Sequence, residues 1–124
     1  MARILIAEDE EALRDLVRRA LTDAGHTVTT AADGGEALDI LCREDDAFDL
    51  LLTDIKMPVM DGIALALAAA RDFPKVTILL MTGYADQRER ANGLDALIHG
   101  VIAKPFSLAE IKAEVAAALA SRAG

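Results

Sequence analysis

This chain is poor in aromatic side chains and in cysteine. Its 124 residues include no tryptophan, one tyrosine, three phenylalanines and one cysteine. A single cysteine excludes an internal disulfide. Cys42 stands one turn beyond Leu38 in an expected helix and reads as a buried or half-buried small hydrophobe. Proline is scarce too, and Pro58, Pro74 and Pro105 all fall beyond the apolar runs rather than inside them. No apolar run approaches the length that spans a bilayer. Met1-Ala2-Arg3-Ile4 enters a strand pattern at once, without a signal-peptide layout, so a cytoplasmic chain with no membrane partner is expected. Positive charge is in deficit: 13 Lys and Arg against 21 Asp and Glu leave a net charge of −8. A phosphate backbone demands a basic face, so nucleic acid is not expected as a direct partner.

Aliphatic side chains dominate what is there. The apolar fraction is 53%, carried largely by Ala, Leu, Ile and Val, which excludes disorder and points to a sheet covered on both faces. The length fits one domain over residues 1–124. Short apolar runs alternate with helical patterns, as in βαβ units. Strands are expected at Arg3–Ala7, Thr27–Ala31, Leu50–Thr53, Thr77–Met81 and Val101–Ala103. The first helix carries Leu13, Val17, Ala20 and Leu21 at helical spacing and closes at Gly25. The second runs from about Gly35 to Arg43, with Ala37, Leu38 and Leu41 facing in. Asp61-Gly62 opens the third, which runs to about Asp72, and a short fourth is expected between Asp86 and Leu97. Ser107 caps the fifth, with Glu110 three residues on as a capping box requires, and Leu108, Ile111, Val115 and Leu119 form its buried stripe. The fold expected is a flavodoxin-like, doubly wound α/β domain with five parallel strands in the order 2-1-3-4-5.

Each chemically distinctive residue falls just past one of these strands. Glu8 and Asp9 follow the first, Asp54 the third, Thr82-Gly83 the fourth and Lys104-Pro105 the fifth. In an open parallel sheet, ligands sit at the carboxyl ends of the strands. Residues scattered over a hundred positions therefore converge on one pocket holding three carboxylates, a hydroxyl and an ammonium. Crowded carboxylates resist full ionisation. A hard divalent cation resolves the conflict, because magnesium takes one or two carboxylates and shares a phosphate oxygen. Taken singly, each residue has a plainer account: a helix cap for Glu8 or Asp9, a solvated acid for Asp54, a turn for Thr82-Gly83, a surface lysine for Lys104. Their joint placement favours a site. His26 and His99 stand alone in turns and are expected at the surface.

The motifs Glu8-Asp9, Asp54-x-x-Met57-Pro58-x-Met60-Asp61-Gly62, Thr82-Gly83 and Lys104-Pro105-Phe106 resemble the receiver domain of two-component response regulators across the whole chain. That resemblance implies that Asp54 accepts a phosphoryl group from a phosphohistidine. It implies a Mg2+ ion, or Mn2+ in its place, ligated by Asp9, Asp54 and the backbone carbonyl of Lys56, with Glu8 holding a metal-bound water. Thr82 would bind the phosphoryl group and Lys104 would pair with it, its bond to Pro105 being cis. The implied partners are a sensor histidine kinase or histidine phosphotransfer protein upstream. Downstream stands a protein that reads the face of the fourth helix, fifth strand and fifth helix. Such a chain is a signalling switch that catalyses only its own phosphotransfer and dephosphorylation. The stretches A-E-D-E, T-G-Y-A and K-P-F-S-L are also similar to single-domain alphaproteobacterial receivers of the CpdR type. Both a stand-alone regulator and the receiver portion of a larger one fit.

Three positions depart from the family pattern. Glu8 stands where Asp is commoner. Val101 stands where many receivers carry a switching Tyr or Phe. Tyr84, two beyond Thr82, either reports phosphorylation in its place or packs as a loop aromatic. Lys56, at the mouth, either tunes hydrolysis or is a solvated loop lysine. Three other functions share this topology: a phosphate-independent interaction module, an FMN carrier and a small phosphohydrolase. The acidic run Glu8 to Glu11 would repel a flavin phosphate, and no second domain or cap is visible to hold an outside substrate.

Overall fold

The structure is a computed structural model that describes residues 2–44, 47–83, 91, 93–94 and 96–123. Strands and helices alternate: β1 (Arg3–Ala7), α1 (Glu11–Asp23), β2 (Thr27–Ala31), α2 (Gly34–Arg43), β3 (Leu50–Asp54), α3 (Gly62–Asp72), β4 (Thr77–Thr82), β5 (Gly100–Ala103) and α4 (Leu108–Ala123). The short helix expected between Asp86 and Leu97 falls largely on residues outside those described, so the last helix carries the number four here.

All five strands pair in parallel in the order β2-β1-β3-β4-β5. Adjacent side chains on a strand point to opposite faces, and the core divides accordingly. Leu5, Leu51, Ile78 and Leu80 pack under α2 and α3 against Ala37, Ile40, Leu41, Leu65 and Ala69. Ile4, Ile6, Leu50, Leu52, Leu79 and Met81 pack under α1 and α4 against Val17, Leu21, Ile111 and Val115. Every residue of β3 is buried, as a central strand covered on both faces requires. In α2 the sequence pattern overlooked Ile40, which is buried, while Leu38 is only partly so.

The register sets the site. Ala7 lies opposite both Ala31 and Thr53, Asp54 opposite Met81, and Thr82 opposite Ala103. The residues that leave β1, β3, β4 and β5 therefore emerge at one edge of the sheet.

Local chemistry stops and starts the helices. α1 ends with Gly25 at φ 99, and the N–H groups of Gly25 and His26 return to the carbonyls of Thr22 and Leu21 at 3.0 and 3.2 Å. This is the Schellman arrangement that glycine permits. Asp33 and Asp61 cap α2 and α3 by accepting the N–H of Glu36 and Ala64 at 2.8 and 2.9 Å. The capping box at α4 is formed in both directions, each bond being 3.0 Å: the Glu110 N–H donates to Ser107 Oγ and the Ser107 N–H to Glu110 Oε1. Ser107→Ala is expected to lower stability by about 1 kcal/mol. A urea denaturation midpoint that does not move would show that the box contributes nothing.

Two sequence readings are corrected. Cys42 is exposed, because it sits on the outer side of α2 while Ile40 and Leu41 turn inward. His26 is half-buried rather than at the surface, its Nδ1 accepting the N–H of Ala2 at 3.3 Å, and burial followed by the nearby N-terminal charge pulls its pKa down. Among the described residues, no helix is long and apolar enough to cross a membrane.

Candidate functional site

A cleft of about 920 Å³ opens at the carboxyl edge of the sheet. Glu8, Asp9, Asp54 and Lys104 line it together with Lys56 and Gly83, and Leu13, Met57, Pro58 and Phe106 provide its apolar walls. Glu8 and Asp54 are buried, whereas Asp9 is exposed at the mouth.

Lys104 ties the floor together. Its Nζ lies 3.0 Å from Glu8 Oε1 and 3.2 Å from Asp54 Oδ2. The other oxygen of each acid takes a backbone donor, Glu8 Oε2 from the Glu10 N–H and Asp54 Oδ1 from the Ile55 N–H, both at 3.1 Å. The peptide between Lys104 and Pro105 is cis. The Lys104 N–H donates to the Thr82 carbonyl at 2.7 Å, joining the ends of β4 and β5.

The loop after β3 is held from both sides. Gly62 donates its N–H to the Ile55 carbonyl at 2.7 Å, and a Cβ at Gly62 would lie 2.0 Å from the Asp54 carbonyl oxygen. Within the loop the Met60 N–H bonds the Pro58 carbonyl at 2.8 Å across Val59, whose φ is 68. A positive φ at a β-branched residue is strained, and Val59 is 86% exposed, so its side chain repays none of that strain by burial.

One carboxylate oxygen from each of Glu8, Asp9 and Asp54 can lie within 4.8 Å of the others, close enough to share one cation. Burial is the main force that pushes Glu8 up to about 7; the Glu10 N–H and Lys104 oppose it, and Asp54 adds to it. Burial likewise raises Asp54 against the pull of Lys104 and the Ile55 N–H. Lys104 loses by burial but gains more from Glu8 and Asp54, so its pKa is raised and it stays an ammonium. Lys104 pairs with two of the three clustered acids, Glu8 and Asp54, and an all-oxygen donor set suits a hard divalent ion.

An acid whose folded pKa is raised holds its proton more tightly folded than unfolded. Its stabilisation is complete below the unfolded value of 4.5 and is lost as pH rises through about 7. In chelator, the urea midpoint is expected to fall between roughly pH 5 and pH 8, and a divalent cation should raise it more at pH 8 than at pH 5. A midpoint that climbed steadily over that window without metal would contradict this electrostatic account.

The profile of the response regulator receiver domain matches residues 4–116. The chain belongs to the response regulator receiver family. Response regulator MprA of Mycobacterium avium is 37% identical over 117 residues, which are 94% of this chain and 50% of that relative. MprA of Mycobacterium tuberculosis matches to the same extent. The chain thus spans about half the length of these curated relatives. Among solved structures, a CheY-like receiver domain from Methanospirillum hungatei is similar at 31% identity and a TM-score of 0.89, over 98% of this chain and 96% of that one. Response regulator TrrA of Thermotoga maritima, in complex with Mg2+-BeF, is similar at 29% identity and a TM-score of 0.84, over 95% of this chain and 99% of that one.

Most of the receiver motif meets at the cleft. Glu8, Asp9, Asp54, Lys56, Lys104 and Pro105 all line it. Thr82 is buried at the end of β4. Val101 does not reach the cleft; it lies opposite Leu80 in β5, half-buried against the core cluster under α2 and α3. Tyr84 lies outside the described residues. One contact escaped the sequence reading: Arg14 Nη1 donates to the backbone carbonyl of Glu8 at 2.9 Å. A bond from a helix side chain to a carbonyl six residues earlier has no periodic signature.

Proposed function

We propose that residues 1–124 form one phosphoaccepting receiver domain of a two-component or phosphorelay system. The observation that carries this reading is Lys104 Nζ 3.2 Å from Asp54 Oδ2, beside two further acids, Glu8 and Asp9, at the carboxyl ends of neighbouring strands. Asp54 is the nucleophile. One of its carboxylate oxygens forms a bond to phosphorus as the bond to the donor imidazole nitrogen breaks, and the histidine keeps that electron pair. The product is an acyl phosphate on Asp54. Charge in such a transfer spreads over the equatorial phosphoryl oxygens, so positioning and neutralisation do most of the work.

Lys104 supplies one fixed positive charge at the oxygen of Asp54 and can follow the phosphoryl group when it arrives. Thr82 offers a hydroxyl to the same group. The three-acid cluster fits Mg2+, with Mn2+ as the alternative: Asp9, Asp54 and the Lys56 carbonyl would be ligands, and Glu8 would hold a metal-bound water. When bound, that ion supplies countercharge to the phosphoryl oxygens. Lys56 and Pro105, which line the cleft, together with the positions Tyr84 and Val101, are where phosphoryl lifetime and its readout would be tuned.

The partners proposed are a histidine kinase or histidine phosphotransfer protein as donor, and a protein that reads β5, α4 and the segment before them. The acidic balance speaks for these residues alone and carries nothing about nucleic acid binding by a longer protein. The switch adds nearly two negative charges beside Lys104 and shifts the population of two states of one fold.

Intact-protein mass after incubation with acetyl phosphate and Mg2+ tests the reading. A gain of about 80 Da, one phosphoryl group, that is absent when chelator is added first is the expected result. No gain, together with no beryllofluoride complex, would favour a module that binds partners without phosphate.

A further inference from the structure

We propose that Arg14 is a positioning residue for the acidic cluster, fixing the Glu8–Asp9 peptide so that both carboxylates face the cleft. This rests on the reading of the cluster as a cation site. The turn from β1 into α1 must aim two consecutive acids at one point, although successive side chains along an extended chain diverge. The Glu8 carboxylate is held by Lys104 and the Glu10 N–H, and its peptide units are held at both ends.

Its N–H is held as an extension of the sheet, donating to the Ala31 carbonyl at 3.1 Å. Its carbonyl, which belongs to the peptide leading into Asp9, is held by Arg14 Nη1 at 2.9 Å. That second anchor matters because α1 lacks the usual one. Its N-cap is Glu10, whose own side chain accepts no backbone N–H, whereas α2, α3 and α4 all have side-chain caps; the Glu10 N–H goes instead to Glu8 Oε2 at 3.1 Å. Arg14 reaches back from inside the helix and ties the chain before the N-cap to the first turns of α1, by donating to the Glu8 carbonyl rather than by accepting a helix N–H as a cap does. The neighbouring residue Leu13 forms a wall of the cleft, so the same turn of α1 both shapes the pocket and locks its ligands.

The contact uses one guanidinium N–H, and a lysine can supply one donor. Its role is therefore separable from the need for the apolar stem. Arg14→Met keeps the stem and removes the donor; Arg14→Lys keeps a donor. Outer-sphere partners that hydrogen-bond a metal ligand directly are typically worth 10- to 100-fold in metal affinity, and Arg14, acting through the backbone of Glu8, is expected at the lower end of that range.

The experiment measures Mg2+ binding by titration calorimetry on the wild type and both variants, beside urea denaturation in chelator. About tenfold weaker Mg2+ binding by Arg14→Met, with most of the affinity recovered in Arg14→Lys, is the expected result. A shift in denaturation midpoint without a change in affinity would reduce Arg14 to a structural contact and overturn the proposal. So would equal losses of affinity in both variants. A wild-type protein that binds no Mg2+ would overturn the cation-site reading itself, an outcome distinct from wild-type binding with unaltered variants, which defeats the role of Arg14 alone.

Discussion

Asp54→Asn is expected to gain no phosphoryl mass from acetyl phosphate under conditions that load the wild type. An amide nitrogen or oxygen is a far poorer nucleophile than a carboxylate, and removal of a nucleophile typically costs well over a thousandfold in rate. The substitution changes almost no volume, so the loss would not come from repacking. The stability of the variant supplies the control. Burial raises the Asp54 pKa despite Lys104, which means that its surroundings disfavour the charged form. A neutral isostere removes that penalty, so in chelator near pH 8 the variant should be at least as stable as the wild type. Phosphoryl uptake by a folded Asp54→Asn protein would move the acceptor to another residue and end the proposed role. A variant that loses uptake only because it unfolds would show the wrong sign in the denaturation experiment.

The second large effect is expected from one methyl group. In Gly62→Ala the new Cβ would lie 2.0 Å from the Asp54 carbonyl oxygen and 2.9 Å from Ile55 Cα. Both neighbours are backbone, so no side chain can swing aside. Either α3 must slide outward, weakening the Gly62 N–H bond to the Ile55 carbonyl, or the end of β3 must move. Overpacking of this kind costs about 3 kcal/mol, and more where the obstacle is main chain. Because the obstructing carbonyl belongs to Asp54, phosphoryl uptake should slow even in molecules that remain folded. The urea midpoint measures the first effect and the rate of mass gain the second. A loss of stability below about 0.5 kcal/mol would mean that the loop adapts freely, against the tight packing described here.

These two positions also mark how far the sequence could be read. Asp54 was legible because it follows an apolar run of strand length and stands in the receiver motif. Gly62 was legible as a helix start, since Asp61-Gly62 precedes a run of helix-forming residues. That its hydrogen atom is the only substituent the Asp54 carbonyl tolerates was not legible. That contact joins two elements whose separation depends on how α3 seats against β3.

The same division runs through the rest of the molecule. Strand positions, the order of the sheet, the Schellman end of α1 and the capping box of α4 are consequences of period, glycine and local hydrogen-bond chemistry. All but the sheet order act over a few residues, and the order follows from the alternation of strands and helices under the right-handed crossover rule, so the sequence by itself determined them. Recognition of the family rested on the same local motifs. Interactions between distant parts of the chain belong to the tertiary structure alone. It decided that Lys104 bridges Glu8 and Asp54 directly, that Arg14 holds the Glu8 carbonyl, that Val101 packs half-buried against the core and that Cys42 turns away from it. Side-chain reach, helix rotation and the register of four paired strands settle those contacts jointly, and no short stretch of sequence encodes a joint constraint. Burial follows from the same packing, and with it the raised pKa values of Glu8 and Asp54, because desolvation depends on everything that closes over a carboxylate rather than on the residues beside it in the chain.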